Sequence, residues 1–397
     1  MEKLYYEDQY LKEFTAEITN IIQKENNFHI ELDRSAFFPG GGGQHCDLGY
    51  IDNHKVIDVY EEKGVIYHVT ETKPIKIHRV KCKIDWERRL DGMQQHLGQH
   101  VLSGCFFTMF NANTVSVHVG KEVSTVDIKG YLDEETIRKA EIRANEIIKE
   151  NIKVDFLTPS KKELKKLDLR RNLPNTDEQI RIVKIGELDI NACCGVHPSR
   201  TLDLQAIKII RWEKHKGNTR IEYLAGTRAV NDYFNKYDFR NAICKFLNCG
   251  ENDAKNTIIN ITNDLKNILD ENRRIKMEIG EYQIKEMLEN AKVVKGISII
   301  KKIYENGDIK HLTKIADKLV QKENVVVLFA VKFEDRANLI FASSNNLKDI
   351  SMNDLLKDAI TLIDGRGGGS QFKAQGAGKN CSNLESVMDY AAGKFEK

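Results

Sequence analysis

The sequence predicts a mixed α+β protein with an N-terminal β-barrel, an α/β domain, a long coiled-coil helix and a small C-terminal α/β domain. Three observations support this prediction. Segments rich in Ile, Val, Tyr and Thr, several of them separated by Gly or polar residues, fill the first 85 residues. A seven-residue apolar repeat runs through 251–290. From residue 293 onward, strand-like segments alternate with helix-like ones.

A chain of 397 residues exceeds what one hydrophobic core usually organises, and we expect domains at 1–85, 86–248, 249–291 and 292–397. The net charge of +2 neither requires nor excludes a nucleic-acid partner. Eight scattered cysteines do not indicate a disulfide scaffold. The sequence shows neither an apolar secretion signal nor a membrane-length apolar run, which predicts a soluble cytoplasmic protein without a membrane partner.

The residue patterns of the first two domains predict strands in the first domain and a mixture of helices and strands in the second. In the first domain, strands are predicted at 14–23, 27–32, 54–61, 65–70 and 76–84. In the second domain, the predictions are a helix at 87–106, a strand at 114–128, a helix at 133–149, a βαβ-like mixed region reaching about residue 225, and a helix at 226–248. Asp133 is the predicted N-cap of the second of these helices.

The long helix carries apolar side chains at alternating spacings of four and three residues. The positions are Ala254, Ile258, Ile261, Leu265, Ile268, Asn272, Ile275, Ile279 and Tyr282. This repeat favours pairing with a helix of another chain, with Asn272 fixing register or partner number. The alternative is a helix lying on its own domain. Beyond it, strands are predicted at 296–304, 324–331 and 338–343, and helices at 311–321 and 352–363.

Two clusters of histidine and cysteine predict a metal site. His96 and His100 are four residues apart on the helix at 87–106, so both imidazoles lie on one face. The second cluster, Ala-Cys-Cys-Gly-Val-His, offers His197 together with Cys193 or Cys194, and spacing alone does not choose between the cysteines. Nitrogen and sulfur ligands in two tight clusters favour zinc, one ion per chain. The alternative is that His96 and His100 are two partly buried histidines that serve packing or hydrogen bonding rather than metal binding.

The histidine pair differs from the metalloprotease motif His-Glu-x-x-His, in which the Glu is the general base. Leu97 occupies that position, so a protease of this kind is excluded. The remaining histidines, at 45, 54, 68, 78, 118 and 215 among them, show no comparable spacing and are expected on the surface or in the core.

Two glycine-rich segments are candidates for substrate contacts. The first, Phe-Phe-Pro-Gly-Gly-Gly-Gly-Gln at 37–44, lets backbone amides approach a ligand, and a flexible turn is the alternative. The second lies at 364–370 and is interpreted as a phosphate-binding loop, with a disordered linker as the alternative. Its candidate binding residues are Arg366, Gly367, Gly368 and Gly369. Basic runs at 76–83, 160–171 and 211–216 are compatible with a nucleic-acid backbone.

Together these motifs resemble the alanyl-tRNA editing proteins of the AlaX group, in the long form that carries a glycine-rich C-terminal domain shared with alanyl-tRNA synthetase. The resemblance covers nearly the whole chain. The loop at 37–44, the stretch Met-Gln-Gln-His-Leu-Gly-Gln-His-Val-Leu-Ser at 93–103 and the Cys-x-x-x-His from Cys193 to His197 carry it, and the last selects Cys193 over Cys194. Phe38 stands where the family more often has Tyr.

The resemblance implies a zinc-dependent hydrolase that cleaves seryl or glycyl esters of the alanine tRNA. It further implies a free-standing editor rather than an activating enzyme, and a homodimer through the long helix and C-terminal domain. In this interpretation the metal ligands are His96, His100, Cys193 and His197, Gln44 is catalytic, and the substrate-binding residues are Gly41, Gly42, Gly43, Arg366, Gly367, Gly368 and Gly369.

Four protein ligands would complete a zinc tetrahedron. To take part in hydrolysis, the ion would then become five-coordinate, hold one ligand weakly, or only position the substrate. The sequence does not decide among these three possibilities. The alternative function is a tRNA- or protein-binding module with a structural zinc and no catalysis. A phosphoesterase function is not supported, because this sequence lacks the Asp-His-His cluster with which such enzymes bind metal.

Overall fold

The computed structural model describes residues 1–74, 78–171, 173 and 179–396. The chain forms two compact units, Met1–Phe246 and Leu247–Lys397. The predicted α+β class is confirmed, whereas the division into four domains stays a prediction. Residues 76 and 77, which begin a predicted strand and a predicted basic run, lie outside the described residues. Within the described ranges, no helix is long and apolar enough to cross a membrane.

The N-terminal part of the first unit contains a closed antiparallel barrel of six strands, in the order β2-β3-β7-β6-β5-β8. The elements here are β1 (Glu2–Lys3), α1 (Leu4–Glu7), β2 (Glu13–Lys24), β3 (Asn27–Leu32), β4 (Arg34–Ser35), β5 (Gly49–Ile51), β6 (His54–Glu62), β7 (Val65–Thr70) and β8 (Arg79–Ile84). Alternating side chains such as Ile30, Val56 and Ile66 point inward and form its core. The short β5, which the sequence analysis did not predict, closes the barrel between β6 and β8.

His68 on β7 is a fully buried titratable group of this barrel. Its ring nitrogens lie 3.0 Å from the carbonyl oxygen of Ile30 and 2.8 Å from the hydroxyl of Ser35. Burial lowers its pKa from 6.5 to about 4, so the folded protein holds it neutral. The unfolded chain protonates this imidazole below pH 6.5, which favours unfolding in acid.

We therefore expect the His68 contribution to stability to be complete above pH 6.5. It should fall by about 3 kcal/mol as the pH drops to 4. Urea unfolding of the wild type and His68→Gln across this range measures the effect as the difference between their pH slopes. His54→Gln, on the neighbouring strand, is the control and should follow the wild type. Parallel slopes for wild type and His68→Gln would contradict the prediction.

The rest of the first unit is built from two antiparallel sheets and the helices packed on them. The sheets have strand orders β14-β15-β10-β9 and β11-β12-β13. The elements are α2 (Trp86–Phe110), β9 (Thr114–His118), β10 (Ser124–Lys129), α3 (Glu134–Lys149), β11 (Val154–Leu157), α4 (Lys161–Leu164), β12 (Ile182–Ile185), β13 (Asp189–Ala192), β14 (Ile207–His215), β15 (Asn218–Ala225) and α5 (Thr227–Leu247).

Two predictions for this region were wrong. The single strand at 114–128 is a hairpin of β9 and β10, whose turn brings Gly120 so close to Val123 that a Cβ on Gly120 would lie 2.1 Å from the Val123 carbonyl oxygen. The βαβ-like interpretation is also wrong, because the strands β11 to β15 pair in antiparallel fashion with their neighbours. A parallel βαβ unit requires a parallel pair that these strands do not form.

The second unit begins with α6 (Glu251–Glu289), followed by a sheet in the order β16-β17-β18-β19-β21-β20. The other elements are β16 (Lys292–Val294), β17 (Ile297–Glu305), α7 (Ile309–Leu319), β18 (Val325–Lys332), β19 (Ala337–Ser343), α8 (Met352–Ile360), β20 (Arg366–Gly369), β21 (Lys373–Gly378) and α9 (Leu384–Gly393). Only β17 and β18 among these described strands pair in parallel, joined through α7. The terminal glycine segment pairs as β20 with β21, so the disordered-linker alternative is wrong.

The heptad stripe of α6 is exposed. Ile261 and Ile268 expose 52% and 61% of their surface. Toward its C-terminal end, α6 packs through Ile284 and Met287 against Leu312 and Ile315 in the core of this unit. The face of α6 that is buried against the core of its own unit is therefore different from the face that carries the heptad stripe. The alternative of a helix lying on its own domain does not hold for the heptad face, and the coiled coil stays a prediction.

Candidate metal centre

Helix α2 places the first two ligands. It begins at the N-cap Asp85, whose side chain accepts the backbone N–H of Arg88, and it is buried through most of its length. His96 and His100 lie one turn apart on the same face, with ring centroids 5.3 Å from each other. Both side chains are buried, with 2% and 1% exposure. The helix thus presents two imidazoles to one point in the interior.

The turn after β13 brings the other two ligands to that point. The sulfur of Cys193 lies 3.4 Å from Nε2 of His96 and 3.7 Å from Nε2 of His197. One ligand atom from each of His96, His100, Cys193 and His197 falls within 4.8 Å of the others. Cys194 is exposed and is not a member of this cluster. The geometry therefore supports Cys193 as the ligand.

The donor set fits a metal ion. Nε2 of His100 is buried and has no hydrogen-bond partner among the described residues. Buried polar atoms rarely remain unsatisfied, and an ion bound by the four converging donors would satisfy this one. Imidazole nitrogens and thiolates are the ligand types that tetrahedral zinc takes in proteins.

The outer nitrogens of two ligands are held by hydrogen bonds. Nδ1 of His100 lies 2.7 Å from Oδ2 of Asp189, which also accepts from Arg170 through Oδ1 at 2.6 Å. Nδ1 of His96 lies 3.1 Å from Oε1 of Gln44, and the Val196 N–H donates to the same oxygen. With Nδ1 of each ring as donor, Nε2 keeps its lone pair for a metal.

Electrostatics favour the ligating forms of two of these groups. Burial raises the pKa of the Cys193 thiol, but the imidazole of His96 and the hydrogen bonds from His100 and His197 outweigh burial and hold the pKa well below its ordinary value. Burial lowers the pKa of His197 to about 3, so its ring is neutral. A thiolate and a neutral imidazole are the forms that bind metal.

The first glycine segment lies directly against this cluster. Gly41, Gly42 and Gly43 have φ values of 134°, 61° and 86°, in the region that favours glycine. A Cβ on Gly42 would lie 3.3 Å from Cε1 of His96, so the loop needs a residue without a side chain there. The N–H of Gly41 is used within the turn, donated to the Gln44 carbonyl. Of the three glycines, Gly42 lines the cavity beside the cluster.

A cavity of about 440 Å³ opens onto the cluster. Gly42, His96, His100 and Cys193 line it on the metal side. Neutral polar side chains from α2, β9 and β13 line it elsewhere, namely Gln99, Ser116 and Asn191. The arrangement can hold a small polar group within reach of the ligand cluster.

The structure brings together most of the sequence-predicted site residues of the first unit. Gln44 and the glycine loop adjoin the four ligands, although Gln44 turns its side-chain oxygen to His96 rather than to the cavity. Arg366 and the three glycines that follow it belong to the second unit, where they form β20. The roles assigned to these residues stay predictions.

Sequence reasoning missed Asp189, Arg170 and Arg181. Asp189 and Asn191 occupy alternate positions of β13, and Cys193 continues this spacing one residue after the strand ends. Alternate residues of a strand share a face, so this spacing could have identified Asp189 as a neighbour of the metal ligand. Arg170 and Arg181 carried no comparable pattern.

Replacing Asp189 with asparagine should weaken metal binding about 10- to 100-fold, because His100 loses a charged acceptor that orients its ring. Competition with a zinc-chelating dye measures the dissociation constant. Asp127→Asn is the matched control, since Asp127 forms a part-buried pair with Arg220 and is not a member of the ligand cluster. Equal zinc affinity in Asp189→Asn and the wild type would contradict the assigned role.

Comparisons with known proteins agree with this site. A family model described as threonyl and alanyl tRNA synthetase second additional domain matches residues 180–222, and the DHHA1 domain model matches 295–397. The alanine–tRNA ligase of Methanobrevibacter smithii is 28% identical over 98% of this chain, which spans 45% of that ligase. The alanyl-tRNA editing protein Aarsd1 of Mus musculus is 26% identical over 95% of this chain and 94% of its own length.

The alanyl-tRNA editing protein AlaX-L of Pyrococcus horikoshii is 31% identical over 412 aligned residues, covering 100% of this chain and 98% of that protein. The match extends through both units, so it includes the ligand cluster, the glycine loop and the C-terminal sheet. As its motifs predict, this chain belongs to the family of alanyl-tRNA editing proteins.

Proposed function

We propose that this chain binds one zinc ion and hydrolyses the ester of seryl- or glycyl-tRNA(Ala). Family membership makes the chain an aminoacyl-tRNA deacylase; the metal identity and the preferred amino acid are parts of the proposal. The observation that carries it is the cluster of three histidines and one cysteine at the wall of a polar cavity, beside a glycine loop.

The reaction adds water to the ester carbonyl and releases the amino acid and the free 3′-terminal hydroxyl of the tRNA. When bound, zinc supplies Lewis acidity and lowers the pKa of a coordinated water. The amide of Gly42, which lines the cavity, is our candidate donor to the developing oxyanion. Gln44, whose catalytic role stays a prediction, accepts the backbone N–H of Val196 and lies within hydrogen-bond distance of Nδ1 of His96.

Selectivity for serine follows from the polar lining. Gln99 is buried and donates its amide N–H to Ser103, which leaves its side-chain oxygen able to accept from a substrate hydroxyl. A site that hydrogen-bonds a hydroxyl rejects the analogue lacking it, because the protein group is then left unpaired. Alanine lacks that hydroxyl, and we expect alanyl-tRNA to be spared. Glycine lacks it as well, so this contact favours the seryl ester over the glycyl ester.

The decisive experiment follows ester loss from seryl-, glycyl- and alanyl-tRNA(Ala) with the zinc-loaded protein. We expect rapid loss of the seryl or glycyl ester and slow loss of the alanyl ester. No deacylation of any ester would leave the binding module with a structural metal as the better interpretation. Equal rates on all three esters would contradict the selectivity.

We further propose that tRNA contacts extend to the second unit. Arg366 is exposed on β20, the edge strand of its sheet, and Gly367 and Gly369 beside it are exposed as well. An exposed guanidinium suits phosphate oxygens.

A homodimer through α6 is the last part of the proposal. The heptad positions facing a partner are exposed, whereas the side chains that pack on α7 lie on another face. In a parallel pair, Asn272 meets its counterpart and Glu271 faces Lys276 of the second copy. In an antiparallel pair the acidic positions Asp264, Glu271 and Glu278 would face one another. The sequence of α6 thus favours the parallel arrangement.

A further inference from the structure

Two arginines line the cavity beside the metal cluster, and no described carboxylate of the lining balances their charge. Arg171 and Arg181 both line it, and none of its described lining residues is an aspartate or glutamate. The substrate of the proposed function brings an amino group, which adds no negative charge. The part of an aminoacyl-tRNA that carries a negative charge near the ester is the phosphate of its terminal nucleotide.

Most of the less exposed arginines of this unit are ion-paired, whereas Arg181, like Arg88, has no ion pair with a described carboxylate. Arg89, Arg170, Arg220 and Arg228 each form an ion pair with an aspartate. No described carboxylate lies within ion-pair distance of Arg181. A partly buried guanidinium without an anion is costly, and such a group is readily stabilised by an anionic ligand.

The surroundings of Arg181 hold its guanidinium in one place. The group lies 4.7 Å from the ring centroid of Tyr6 and 4.4 Å from that of Phe156. One terminal nitrogen donates to the carbonyl oxygen of Gly195 at 2.8 Å. No hydrogen bond within the described chain uses its other two nitrogens. A planar guanidinium held on one side by rings and a carbonyl can offer its remaining N–H groups to two oxygens of a phosphate.

We propose that Arg181, assisted by Arg171, binds the 5′-phosphate of the terminal nucleotide and thereby places the aminoacyl ester against the metal cluster. Arg181 is thus a positioning residue that reads the nucleic-acid part of the substrate rather than its amino acid. Its hydrogen bond to Gly195 couples this contact to the turn that carries Cys193 and His197. The inference rests on the proposed function, since it assigns a place to that function's substrate.

The test uses two non-hydrolysable ligands that differ only in the phosphate: 3′-seryl-amido-3′-deoxyadenosine with and without a 5′-phosphate. Their dissociation constants are measured by calorimetry with the zinc-loaded, full-length protein. The ratio of the two constants isolates the phosphate contact, because any general damage to the pocket or the metal weakens both ligands alike. We expect the wild type to bind the phosphorylated ligand about 10- to 100-fold more tightly.

The ratio should approach one in Arg181→Met and fall several-fold in Arg171→Gln, which does not touch the metal-binding turn. Arg181→Lys, which keeps the charge without the planar fork, should give an intermediate ratio. Arg211→Gln is the control, because Arg211 is exposed, pairs with Glu213 and does not line the cavity. Zinc content per chain is measured for every variant.

A wild-type ratio near one would overturn the inference, as would an unchanged ratio in both Arg181→Met and Arg171→Gln. The proposed function fails by a different result, namely no deacylation of seryl- or glycyl-tRNA by the wild type. Wild-type deacylation combined with equal binding of the two ligands would refute the phosphate contact alone.

Discussion

Replacing His96 with alanine is expected to remove the bound metal and to lower kcat/KM for ester hydrolysis by about a thousandfold or more. His96 supplies one of four converging donors, and its Nε2 lies 3.4 Å from the Cys193 sulfur. A metal contributes several kcal/mol of charge stabilisation to ester hydrolysis, and each 1.36 kcal/mol is about a tenfold change in rate. Zinc per chain by mass spectrometry and single-turnover deacylation measure the two effects.

The control for this variant is His54→Ala, which removes a histidine from the barrel hairpin, where it bonds to Thr72 outside the ligand cluster. It should keep both metal and activity. Chelation of the wild type should reproduce the loss of activity, and added zinc should restore it. Retention of full activity by a metal-free His96→Ala would show that the metal is not required for hydrolysis.

Placing aspartates at Ile261 and Ile268 is expected to convert a dimer into monomers. Both side chains are more than half exposed, and each would bury its surface in a paired helix. Burying an isoleucine contributes roughly 1.5–3 kcal/mol, and burying an unpaired carboxylate costs several more. Because each substitution occurs in both chains, the dissociation constant should rise by at least about a thousandfold.

Sedimentation equilibrium across a concentration series measures this change. The matched control places the same two carboxylates on the outer face of the helix, as Asn260→Asp and Asn267→Asp, and should leave the dimer intact. A second variant, Asn272→Ile, should strengthen association, but it should also allow oligomers with more than two helices. A wild-type protein that stays monomeric at high concentration would contradict the homodimer.

The sequence predicted the two metal clusters because their spacing is local. Residues four apart on a helix share a face whatever the tertiary structure, and a Cys-x-x-x-His turn is equally local. Spacing could not distinguish Cys193 from Cys194, since adjacent residues differ only in the direction of their side chains. That direction depends on how the turn after β13 packs against α2.

Errors arose where the partner of a strand decides its structure. Residues 114–128 are rich in Val, Thr and Ile except for Gly-Lys-Glu at 120–122, where the chain turns so that β10 pairs with β9 as well as with β15. The glycines of β20 have weak strand preference by themselves. Their pairing with β21 is set by the sheet, which composition does not encode.

By itself the sequence determined the α+β class, the long heptad helix, the family and the four candidate ligands, because each depends on periodicity or on motifs within a short stretch. Only the tertiary structure brought Asp189 to His100, Gln44 to His96 and Arg181 to the cavity wall. These contacts join segments far apart in the chain. Their physical cause is the packing of the barrel, α2 and β13 into one unit, in which non-local burial, rather than local propensity, fixes which side chains meet.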